Sequence, residues 1–187
     1  PNNPTSIEVS KLLPTTQRTL GDLLSMDEQN GGLSEILAVY THQMTTRESP
    51  DKYGITGGDV NIQTVWSKLF SQTGNPGTAF PVYGVLQNLE DVIAKSTEAG
   101  NLRYAGIAKI LKAYTYSVMV DVFGDVPYFD KVVENTDLPT LYKDRDNRGV
   151  VMDKVYDDFK YVMTNMREND GAQYLNKYIA AAFISRF

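Results

Sequence analysis

The chain has 187 residues, 42% of them hydrophobic and 22% charged, and its 18 Lys and Arg against 23 Asp and Glu leave a formal net charge of −5. That length can bury a core of its own, while the acidic balance argues against nucleic acid, which needs a clustered basic face, and against a polybasic grip on anionic lipid. The absence of cysteine rules out disulfides, thiol catalysis and Cys-bound zinc, and no apolar run approaches the ~20 residues of a membrane-spanning helix.

Pro1 to Leu13 reads as an extended lead-in, with Pro4 within it and Pro14 just after it. A first helix is expected from about Pro14, with Leu20, Leu23 and Leu24 facing inward, and Asn30, Gly31 and Gly32 break it. Leu33, Ile36, Leu37, Tyr40 and Met44 then follow i, i+3, i+4, i+7, i+11, the period of one helix face. Thr46 to Asn61 is polar and carries Pro50, Gly54, Gly57 and Gly58, the composition of a long loop. Ile62, Val65, Trp66, Leu69 and Phe70 predict a short third helix, with Trp66 in its core-facing stripe, and Gly74, Asn75, Pro76 and Gly77 turn the chain. A fourth helix is built by Val82, Val85, Leu86, Leu89 and Ile93 and closed by Gly100.

Asn101 is placed to cap the next helix, because its side-chain oxygen can accept an orphan backbone N–H. In that helix Ile107, Ile110, Leu111, Tyr114, Val118 and Val122 line one face, yet the opposite face, with Tyr104, Ala108, Tyr116, Met119 and Phe123, is hardly polar. A helix apolar nearly all round belongs between neighbours, so this one is expected to be central. Gly124 can adopt a positive φ at its end, and Pro127 forbids resumption. Phe129 to Arg148 reads as an irregular polar connection containing Pro139. A further helix opens at Asn147 or Gly149, with Val151, Val155, Phe159, Val162 and Met166 inward, and ends at Glu168, Asn169, Asp170 and Gly171. Strand alternation is missing throughout. The pattern predicts an all-α fold, a bundle or solenoid of antiparallel helical pairs, although no strict 34-residue tetratricopeptide consensus recurs.

The run AKILKAYTYSVMVDVFGDVPYFD resembles the helix and FGDVPY segment of the SusD/RagB-like proteins, surface nutrient-binding lipoproteins of Bacteroidetes outer membranes. PNNPT followed by LLP, LAVYTHQM, VWSKLF and LQNLEDVIAKS agree with it in order, over residues 1 to about 170, and point to the SusD-like 2 branch. The resemblance implies antiparallel helical hairpins of degenerate tetratricopeptide-like type, and a non-catalytic protein that binds an oligosaccharide or other small nutrient. It also implies a SusC-like TonB-dependent transporter as partner and an outer-membrane, surface-exposed location, with the membrane reached through a lipidated N-terminal Cys upstream of Pro1. On this reading residues 1–187 are a single SusD-like helical domain, the N-terminal portion of a longer protein. The stretch Gln173 to Phe187, an apolar helical pattern, departs from what the family leads one to expect there.

The chemistry-bearing residues are weighed against that background. His42 is the single histidine, and one His with no Cys is a poor start on the three or four N, S or O ligands of a zinc site, so it reads as a surface or core-edge residue. Asp121 and Asp125 could serve a glycosidase as acid and base, but an Asp in a Gly-Asp-Val-Pro turn more commonly accepts nearby backbone N–H groups. Glu90 with Asp91, and Asp157 with Asp158, are adjacent on helices and read as splayed, solvated charges. Asp144, Asp146 and Gly149 begin a calcium-loop pattern that Arg148 and Val155 break at its fifth and twelfth positions. No phosphate-binding glycine loop or nucleophile elbow is present, so no metal or cofactor is expected.

Twelve tyrosines against seven phenylalanines and one tryptophan are the compositional excess. Aromatic rings can carry the C–H faces of sugars, although most tyrosines here lie on helical stripes. Ligand contacts are therefore expected on the long loops, from Arg47, Tyr53 and Asp59 before the third helix and Asn75 after it, since loops on a rigid scaffold collect binding groups. The alternatives are a helical-repeat adaptor for a protein or peptide and a glycosidase using Asp121 and Asp125.

Overall fold

The computed structural model describes residues 8–25, 32–44, 62–70, 84–131, 144–167 and 175–186. These form seven helices: α1 (Val9–Leu24), α2 (Leu33–Tyr40), α3 (Ile62–Phe70), α4 (Val85–Glu98), α5 (Leu102–Phe123), α6 (Arg148–Asn165) and α7 (Lys177–Ile184). The fold is all-α, as the periodicities predict. Extended pairing among the described residues is confined to an isolated antiparallel bridge between Val126 and Asp146. The chain divides into two compact units, Pro14–Val85 and Leu86–Phe187 with Pro1–Leu13.

α1 begins at Val9, not near Pro14, and Pro14 lies inside it. The carbonyl of Glu8 accepts the N–H groups of Lys11 and Leu12, both at 3.0 Å, and so opens the helix ahead of the proline. An interior proline costs ~3 kcal/mol, whereas burying a leucine is worth ~1.5–3 kcal/mol. Leu12 and Leu13 are both buried, which is enough to hold the helical turn that precedes Pro14.

In the Pro14–Val85 unit the buried side chains include Thr16, Leu20, Leu23, Leu33, Ala38, Val39, Val65 and Leu69. Trp66 is half-buried beside Phe70, the ring centroids 4.5 Å apart. The α2 stripe departs from its expected orientation. Leu33 is buried, but Leu37, Tyr40 and Met44 are 37%, 45% and 39% exposed, and Ala38 and Val39 take the inner side. α2 is only eight residues long. The Thr41 hydroxyl bonds the Leu37 carbonyl, and His42 turns the chain out of the helix at φ 57°, so Met44 never joins the stripe. In so short a helix the neighbour decides which side is buried, and here that neighbour is α3.

The Leu86–Phe187 unit is organised around α5. At the end of α4, Gly100 adopts φ 66°, its N–H reaching the Thr97 carbonyl while the Asn101 N–H reaches that of Ser96. This is the paired bonding of a Schellman motif. Asn101 then starts the next helix, its side-chain oxygen accepting the Tyr104 N–H at 3.2 Å, as the sequence predicts. α5 packs against α6, and α6 against α7. Ala105, Ile107, Ala108, Ile110, Ala113, Tyr116 and Met119 are all buried, so the central helix is enclosed on more than one side. α5 stops at Gly124, whose φ of 71° is open to glycine and strained for other residues.

On α6 the expected stripe, Val151, Val155, Phe159, Val162 and Met166, is buried throughout. α7 is capped by Asn176, which accepts the N–H groups of Tyr178 and Ile179. Its Phe183 stacks on Phe159 and tilts against Tyr114, each at 5.3 Å between ring centroids. The final apolar stretch is thus a helix packed on the unit through Phe183 and the buried Ala180.

Candidate functional site

The chemistry of the Leu86–Phe187 unit is concentrated where α4, α5 and α6 meet the turn after Gly124. Lys112 on α5 is 3% exposed, Glu90 on α4 4% and Asp158 on α6 6%. The Lys112 ammonium lies 2.5 Å from the Glu90 carboxylate and 3.5 Å from that of Asp158. The other oxygen of Asp158 accepts from Lys109, one helical turn away on α5, at 2.5 Å. The Lys109 ammonium also sits 4.8 Å from the centre of the Tyr161 ring, and that of Lys112 4.5 Å from the Tyr128 ring. Two ammonium groups thus face two carboxylates, and the cluster is electrically balanced.

Burial pushes the Glu90 carboxyl above the usual carboxylate range, against the opposing pull of Lys112. Burial also disfavours the charge on Lys112, but Asp158 and Glu90 together outweigh it and hold its pKa above the ordinary lysine value. The hydroxyls of Tyr116 and Tyr128 are raised well above the ordinary tyrosine range, first by burial and, for Tyr128, next by the charges of Asp158 and Glu90. Both phenols therefore remain protonated donors. Each carboxylate is held by an ammonium group, which leaves neither as a free acid or base.

The FGDVPY turn is stitched to this cluster and to the start of α6. The Tyr128 hydroxyl donates to Asp158 at 3.3 Å, and the Phe129 N–H donates to the Tyr116 hydroxyl at 2.9 Å. The Tyr128 N–H donates to the Asp146 carboxylate at 2.7 Å, and the Asp146 N–H to the Val126 carbonyl at 3.0 Å. Asp125 accepts the Arg148 N–H at 2.9 Å, close to the N-terminus of α6, where negative charge is favoured.

This geometry sorts the residues that the sequence singled out. Asp125 does accept a backbone N–H, from a distant segment rather than from its own turn, and Asp121 is exposed. Asp146, from the broken calcium pattern, is a strut for Tyr128. His42 is exposed. Among the described residues no group of three or more His, Asp or Glu could hold a metal ion. Arg47, Tyr53, Asp59 and Asn75 lie outside the described residues.

The reading of the adjacent acids requires correction. Each pair does splay, but Glu90 and Asp158 point into the core, while their neighbours Asp91 and Asp157 are half-buried and exposed, respectively. A signal was present in the pattern. Asp158 falls at i+7 on the stripe Val151, Val155, Val162, Glu90 lies one turn from Leu86, and Lys112 interrupts Ala105, Ala108, Thr115 and Met119. A charge on the inner stripe of each of three helices is explained when the three charges meet.

The family model SusD-like_2, described as starch-binding associating with outer membrane, matches residues 1–177. The chain belongs to this SusD-like family. A crystal structure of a SusD-like carbohydrate binding protein from Bacteroides vulgatus is similar in fold, with a TM-score of 0.57 and 16% sequence identity. The similarity covers 96% of this SusD-like chain and 40% of that protein, so the chain spans well under half of the length of its structural relative. No curated protein matches it.

Proposed function

We propose that this SusD-like protein is a non-catalytic, cell-surface component that binds a glycan or another small nutrient. It hands the ligand to a SusC-like TonB-dependent transporter in the outer membrane, to which it is kept close by an N-terminal lipid anchor. The observation that carries this reading is the family match over residues 1–177. The site geometry is in keeping with it, because the buried carboxylates and phenols are committed to one another and serve to stiffen a scaffold.

Ligand contact falls to Arg47, Tyr53, Asp59 and Asn75, which offer an aromatic face and polar groups matched to the C–H faces and hydroxyls of a sugar. The test is affinity electrophoresis of the full-length protein through gels containing different polysaccharides. Retardation by at least one of them, lost in Tyr53→Ala with Arg47→Ala, is the expected outcome. Unretarded migration in every gel, together with failure to co-purify a transporter from outer membranes, would overturn the proposal.

A further inference from the structure

The turn Gly124–Phe129 is tied to residues outside it. Its Tyr128 and Phe129 N–H groups are satisfied by side chains far away in sequence, Asp146 and Tyr116, and Pro127 has no N–H to offer. The Tyr128 ring is 8% exposed, with the Tyr116 ring centroid at 4.6 Å on one contact and the Lys112 ammonium at 4.5 Å on another. Its hydroxyl donates to Asp158, which also contacts both lysines of α5.

We infer that Asp158 is the keystone of a conformational clamp, through which the charge cluster shared by α4, α5 and α6 sets the conformation of the FGDVPY turn. The physical argument is one of stoichiometry. One oxygen of Asp158 serves Lys109, and the other serves Lys112 and Tyr128. If Asp158 shifts, Lys112 keeps one of its two carboxylates, and the Tyr128 hydroxyl loses a charged acceptor. Losing a buried bond to a charged acceptor costs free energy, and the turn is the part of the cluster able to move in response, since Lys109, Lys112 and Glu90 are anchored in helices. Glu90, Lys112 and Asp158 thus act on the turn without touching its backbone, as positioning residues.

Native-state amide hydrogen exchange on the full protein tests the clamp, comparing the Tyr128 and Phe129 amides with that of Phe159 inside α6. Asp158→Asn and Tyr128→Phe should each raise exchange in the turn about tenfold or more relative to Phe159, the loss expected for a hydrogen bond to a charged group. Val155→Ala is the control, because Val155 is buried on the same helix and has no polar part in the cluster. It should speed the turn and Phe159 together. Tyr128→Phe keeps the ring and removes only the hydroxyl, so it carries the test alone if Asp158→Asn does not fold. An unchanged ratio in Tyr128→Phe, or an equal change of ratio in Val155→Ala, would overturn the clamp.

Discussion

α5 and α2 were read from sequence by the same periodicity rule, and the structure treats them differently. In α5 the apolar pattern ran nearly all round and the helix is enclosed, whereas in α2 the pattern marked one face, of which Leu37 and Tyr40 remain exposed. The difference lies in length and neighbours. A helix of 22 residues samples its stripe over several turns and is fixed at both ends, by Asn101 and by Gly124. One of eight residues offers two turns, and a modest rotation exchanges its inner and outer sides. Enclosure also has a consequence that periodicity does not announce, since a lysine on an enclosed helix must be neutralised inside the core.

The largest expected effect comes from removing that lysine. Lys112→Met leaves Glu90 without its ammonium partner and removes one of two from Asp158, and breaking a buried pair on one side costs ~3–5 kcal/mol. The surface pair Lys95–Asp91 is as short, 2.6 Å, but its side chains are 33% and 31% exposed, so Lys95→Met should cost no more than about 0.5 kcal/mol. Urea denaturation of the two variants measures the contrast. Adding Glu90→Gln to Lys112→Met should restore part of the loss, because it removes the orphaned charge, and equal losses in the two single variants would mean that α5 is not enclosed as described.

The next effect is a dependence on alkaline pH. The folded-state pKa values of Lys112, Tyr116 and Tyr128 all lie above their ordinary values of 10.5 for lysine and 10.0 for tyrosine. Their contribution is therefore fully present below about pH 10, and is lost as the pH rises further and the unfolded chain sheds protons that the folded chain keeps. Glu90, also raised, has the same sign but a lower window: its contribution is present below 4.5 and lost as the pH rises through its folded value, so it creates no acid lability. Urea midpoints should hold level from pH 8 to about 10 and fall beyond it, less steeply in Tyr128→Phe. A midpoint that does not fall above pH 10 would contradict the burial of these groups.

What could be read from the sequence follows from how local each signal is. The Asn101 cap, the Gly100 turn and the stripe of α6 are set by residues within a turn or two of one another, and all are present in the structure. The α5 stripe, by contrast, is buried only at Ile107 and Ile110, with Leu111, Tyr114, Val118 and Val122 half-buried. The start of α1 was hidden because Pro14 is a strong local signal that burial of Leu12 and Leu13 outweighs. The charge cluster is hard to see in the sequence because its members come from three helices, and each acid stands beside a second acid that is more exposed. Asp125 accepts a backbone N–H, but from Arg148 and not from its own turn, because the fold brings the start of α6 beside it.

The smallest expected effect tests the other half of the comparison. If the exposed side of α2 carries no share of the fold, Leu37→Ser and Tyr40→Ser should each change stability by no more than about 0.5 kcal/mol, the range of ordinary surface substitutions. Val39→Ser, on the opposite side and buried, should cost several times as much, because it removes apolar burial and sets a hydroxyl in the core. The two sides differ by one residue step along the chain, so composition and helix propensity are nearly the same for Tyr40 and Val39 and cancel in the comparison. A loss of more than about 1.5 kcal/mol from Leu37→Ser would show that the face marked by periodicity is covered after all. In that event the stripe of α2, and not its packing against α3, would decide what is buried.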